Sequence, residues 1–86
     1  MPRPITYEPR ALMALEALPL AERAEVVAAV HRVAGAEDAY AVADPYIPDA
    51  SGPLPYHGVL HVGGDRIVVV SLYADHVRVI SIRRNT

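Results

Sequence analysis

Hydrophobic periodicity changes once along this chain, from helical spacing over residues 10–35 to an alternation of two over residues 57–84, and that order limits the available folds. Leu18-Pro19 divides the first stretch into two helical runs, and Gly63-Gly64 and Ala74-Asp75 divide the second into three strands. In the first helix, from about Arg10 to Ala17, Leu12, Leu15 and Leu18 fall on one face. Pro19 cannot continue that helix but can open the next, because proline at a first helical position gives up only an N–H that lacks an intrahelical partner. The second helix carries Val26, Val27, Val30 and Val33 on a stripe, turns Glu22, Arg23, Glu25 and Arg32 outward, and stops at Gly35. The two helices are expected to form an antiparallel hairpin. Upstream, residues 4–8 read as a short edge strand, since Ile5-Thr6-Tyr7 is β-branched and aromatic.

The later strands are Tyr56 to Val62, Arg66 to Tyr73 and Val77 to Arg84. Gly63-Gly64 has the character of a two-residue hairpin loop, because both central positions of a type I′ turn need positive φ. Ala74-Asp75 is a second, weaker turn. With two-residue loops at both places, His61 faces Arg66 and Arg66 faces Arg83, while Leu60, Ile67, Val69, Ile80 and Ile82 form an opposite, apolar face for the helices to cover. A slip of one residue at either turn would dissolve that basic row. Between helices and strands, residues 36–56 read as mostly loop, interrupted by Asp44-Pro45, Ile47-Pro48 and Gly52-Pro53, with Tyr40, Tyr46, Ile47 and Leu54 packing on the body. The expectation is one α+β domain over residues 1–86, ordered β-α-α-β-β-β, with an antiparallel sheet against a helical hairpin.

Composition narrows the chemistry. With no Cys, neither disulfides nor a thiolate metal site or nucleophile is open to the chain. The apolar run Ile67–Val70 is far short of the ~20 residues of a membrane span, and the N-terminus lacks a signal-peptide order, so a cytoplasmic setting without membrane partners is expected. All eight basic residues are Arg, yet a net charge of −2 argues against broad nucleic-acid binding and leaves room for a local basic patch. No Gly-rich phosphate loop, paired-carboxylate site or Ser/His/Asp arrangement is present.

His57 and His61 lie four apart on one strand and share a face, but no third ligand has the spacing to complete a metal site. His31 and His76 read as an exposed helix residue and a turn residue, and Arg78 as a surface group. Arg83-Arg84 is either a phosphate-contacting pair or two charges guarding a strand end. Tyr73 can stack on a base or cap the sheet. Val68, Val70, Leu72, Val77 and Val79 are too apolar for bare solvent; helix packing in part, or a partner such as a second copy, must cover them, and the shortness of the chain favours the partner.

The stretch Tyr7-Glu8-Pro9-Arg10-Ala11-Leu12, followed by Leu15-Glu16-Ala17-Leu18-Pro19-Leu20-Ala21-Glu22-Arg23, resembles the opening of the RelE/ParE superfamily of bacterial type II toxins. Val59 to Val69 is similar to that family's basic strand, Gly-containing turn, Arg and apolar strand, and Val79-Ile80-Ser81-Ile82-Arg83-Arg84 to its final strand, particularly in the BrnT branch. The resemblance covers most of the chain outside residues 36–56. It implies a toxin neutralised by a cognate antitoxin, acting as a ribosome-dependent mRNA endoribonuclease that uses no metal or cofactor. His61, Arg66, and Arg83 or Arg84 match the catalytic basic positions, with His57 and Tyr73 as RNA contacts. An imidazole can exchange the 2′-OH proton, and guanidinium groups match phosphate oxygens while staying charged. The same resemblance also implies a second class, a non-enzymatic interaction domain that inhibits DNA gyrase, or that only binds an antitoxin or dimerises.

Overall fold

The computed structural model describes residues 3–37, 44–45 and 56–84. In chain order these form β1 (Ile5–Tyr7), α1 (Pro9–Glu16), α2 (Leu20–Gly35), β2 (Asp44–Pro45), β3 (Tyr56–Val62), β4 (Arg66–Leu72) and β5 (Val77–Arg84). The order is the expected α+β one, with β2 added inside the segment read as loop. Packing of Tyr40, Tyr46, Ile47 and Leu54 lies outside the described residues. The strands form one sheet in the order β1-β5-β4-β3-β2. β3, β4 and β5 are an antiparallel meander, and β1 joins β5 in parallel, with Tyr7 opposite Val79.

Pro19 sits one position before α2 and accepts the Arg23 N–H on its carbonyl at 2.9 Å, so it opens the helix from just outside. The Arg23 guanidinium reaches back to the carbonyls of Glu16 and Leu18 at 3.0 and 3.3 Å, supplying donors that the last turn of α1 lacks. Arg3 similarly ties the chain start to the end of α2, through its N–H to Ala34 O and its guanidinium to Ala36 O.

The core is a valine-rich layer between both helices and one face of the sheet. Ala11 and Leu15 of α1, and Val26, Ala29, Val30, Val33 and Ala34 of α2, pack with Leu60, Val62, Val68, Val70, Leu72, Val77, Val79 and Ile82. Thus the valine set expected to need a partner is buried by the molecule's own helices. The expected face is corrected in the same stroke: of its five residues only Leu60 and Ile82 join the layer beneath the helices, while Val69 is buried outside that layer and Ile67 and Ile80 are half-buried. Along α1 the buried pair is Ala11 and Leu15, while Leu12 is 41% exposed.

Candidate functional site

Two local features decide which basic side chains share a face. The first is the β3–β4 loop, which takes three residues, Gly63–Asp65, so that Val62 pairs with Arg66 and His61 with Ile67. Both glycines do have positive φ, at 65° and 91°, as the turn requires. The second is a bulge in β5: Val70 pairs with Val79 but Val69 with Ser81, leaving Ile80 as the extra residue. The Ala74-Asp75 turn is a two-residue loop as expected, closed by the Tyr73 N–H to His76 O at 2.9 Å. Beyond the bulge, however, every β5 residue is shifted by one, and Arg66 faces Arg84 instead of Arg83.

These shifts split the expected His61–Arg66–Arg83 row in two. Val62, Arg66 and Arg84 lie side by side across the helix-facing side of the sheet. His61, Ile67 and Arg83 lie side by side on the other. Arg66 is engaged there by α2: its Nε and Nη2 donate to one carboxylate oxygen of Glu22 at 3.2 and 2.9 Å. With Glu25, Asp65 and Gly63 nearby, the surroundings of Arg66 are acidic and close-packed, with room of ≈ 40 Å³. A phosphate approaching the Nε and Nη2 side of that guanidinium would have to displace Glu22.

The face away from the helices collects the remaining candidates in three cross-strand rows. His57, Ser71 and Arg78 form the first, Val59, Val69 and Ser81 the second, and His61, Ile67 and Arg83 the third. His57 Nδ1 and the buried Ser71 Oγ are 2.8 Å apart, in a hydrogen bond whose direction follows the imidazole tautomer. Arg78 reaches the Glu8 carboxylate at 3.6 Å. His61 and Arg83 are exposed, with Ile67 between them and their Cα atoms two strand spacings, about 10 Å, apart. The arrangement is an apolar strip of Val59, Val69 and Ile67 edged by imidazoles on β3 and guanidiniums on β5, which suits binding more than concerted proton and phosphate chemistry.

At the far turn, Tyr73 stacks on His76 with ring centroids 4.2 Å apart, and His76 bonds Asp75 at 2.7 Å. That hydrogen bond holds the Asp75 carboxyl below its ordinary value. Tyr73 therefore closes a turn, and the ring expected to meet RNA already has a stacking partner. Sequence reasoning missed Glu22, whose only signal was its place in the first turn of α2. It also missed the groove beside Met13, which stands 71% exposed on the side of α1 opposite the buried Ala11 and Leu15. Among the described residues there is no grouping of three or more His, Asp or Glu suited to a metal ion, and no helix long and apolar enough to cross a membrane. No family model matches the chain, and no curated protein matches it significantly.

Proposed function

We propose that this chain is a RelE/ParE-like domain that acts by binding other proteins, a cognate antitoxin among them, and not by cutting RNA. The observation that carries this reading is the Arg66–Glu22 pair, which takes one guanidinium out of the basic constellation and holds it on the helix side of the sheet. The strip formed by the half-buried Val59 and Ile67 around the buried Val69, edged by His57, His61, Arg78 and Arg83, supplies the mixed apolar and cationic character of a protein-docking face. Element order supports the resemblance on which the antitoxin rests. DNA gyrase is the other protein target that this reading admits.

The second reading, ribosome-dependent mRNA cleavage, is favoured by one observation, the shared face of His61 and Arg83. Induced expression of the chain alone, with pulse-labelled protein and DNA synthesis, separates the two. The binding reading expects protein synthesis to continue, with DNA synthesis falling only if gyrase is the target. A prompt fall in protein synthesis that His61→Ala and Arg83→Ala abolish, and Arg66→Ala does not, would establish the nuclease in its place.

A further inference from the structure

Among the described residues, one edge of the sheet is only half paired. β1 ends at Tyr7, its final ladder contact is the Glu8 N–H to the Val79 carbonyl at 2.9 Å, and Pro9 then carries the chain out of the sheet into α1. β5 runs on through Ile80–Arg84, and among the described residues no strand pairs with that portion on the β1 side. Backbone N–H and C=O groups along such an edge are a template for an added strand. Where β1 departs, Glu8, Pro9, Arg10, Met13, Ile80 and Ser81 line a groove of ≈ 770 Å³. Ile80 is the bulged residue, and Met13 stands 71% exposed above it on α1, so the groove offers an apolar seat next to unpaired backbone.

Charge decides what fits. Arg10, Arg83 and Arg84 are exposed along this side, and no carboxylate of the described residues pairs with any of them, while Glu8 is directed to Arg78. We propose that an extended, acidic segment of a partner protein completes the sheet here, adding a strand beside Ile80–Arg84 and seating an apolar side chain against Met13 and Ile80. A second copy of the chain would oppose arginine with arginine along the same edge, whereas acidic side chains meet them with attraction. The proposal rests on the protein-binding reading and specifies the chemistry of the partner.

The probe is a short end-blocked peptide of alternating Val and Glu, titrated into the isotope-labelled protein and followed by amide NMR and hydrogen exchange. The expected result is that shifts concentrate at Ile80–Arg84 and that their amide exchange slows about tenfold or more at saturation. Met13→Glu and Arg84→Glu should each weaken binding about tenfold, with the remaining amide spectrum unchanged, since both side chains are exposed. An absence of shifts overturns the proposal, as do shifts confined to β3. Equal binding by a Val/Lys peptide, or by the Val/Glu peptide with alternate amides N-methylated, also overturns it. Concentration-dependent shifts at the same amides without peptide would assign the edge to a second copy. Arrest of protein synthesis in cells would sink the binding function, while this titration reads the edge separately on purified protein.

Discussion

Arg66 turns on a contact made across the fold. Its side chain is 12% exposed and that of Glu22 37%, so the pair is partly shielded and geometrically well formed through two N–H donors. Arg66→Ala should lower stability by about 1 kcal/mol, the scale of a charge-assisted contact at a protein's margin, measured by urea unfolding. Arg66→Lys should recover only part of this, since an ammonium cannot reproduce the guanidinium's paired donors. Tyr7 poses the opposite case: its hydroxyl is buried with no hydrogen-bond partner among the described residues, and burial raises its pKa above the ordinary tyrosine value. The folded state therefore holds the phenol proton more tightly than the unfolded chain does, so stability falls as pH rises past the unfolded tyrosine value of about 10. Tyr7→Phe removes both the orphaned hydroxyl and that alkaline loss. The variant should match or exceed the parent by about 1 kcal/mol at neutral pH and show a flatter profile in alkaline thermal melts. Residue types near the site were thus legible in the sequence, but the pairing of Arg66 with Glu22 was not, because it joins elements far apart in the chain.

At the scale of elements, the extents of the helices and later strands follow from punctuation by Pro19, Gly35, Gly63-Gly64 and Ala74-Asp75, which act through local backbone geometry. Register does not follow in the same way. A two-residue and a three-residue Gly turn leave the same glycine signature, yet with Leu60 of β3 on the core side they place opposite sets of β4 side chains against the core. The bulge at Ile80 is equally silent, since Val77, Val79 and Ile82 are all suited to burial and only helix packing settles which pair of spacings is used. The turn itself has a testable demand. At φ 91° Gly64 has open space for a Cβ but an unfavourable backbone conformation, so Gly64→Ala should cost about 1–2 kcal/mol by chemical denaturation. At φ 65° Gly63 lies where Asn is tolerated, and Gly63→Asn should cost less.

For the whole molecule, the sheet gives each face a different business. One is closed by valine packing under the helices, and the other displays imidazoles and guanidiniums around an apolar strip. The division between faces was legible as a pattern of alternation, while the assignment of each face required the fold, and with it the loss of the His61–Arg66–Arg83 row. The parallel pairing of β1 with β5 brings together segments almost the whole chain apart. Closing so long a loop is entropically the most demanding step, so the meander is expected to assemble first and β1 to dock last. The same strand should then be the first to leave: in native-state hydrogen exchange, the Val77 amide, bonded to the Pro4 carbonyl, should exchange through a smaller opening than amides within β4. Each such opening would bare the outer side of β5 along its full length, making the chain's own first strand a transient competitor for whatever pairs there.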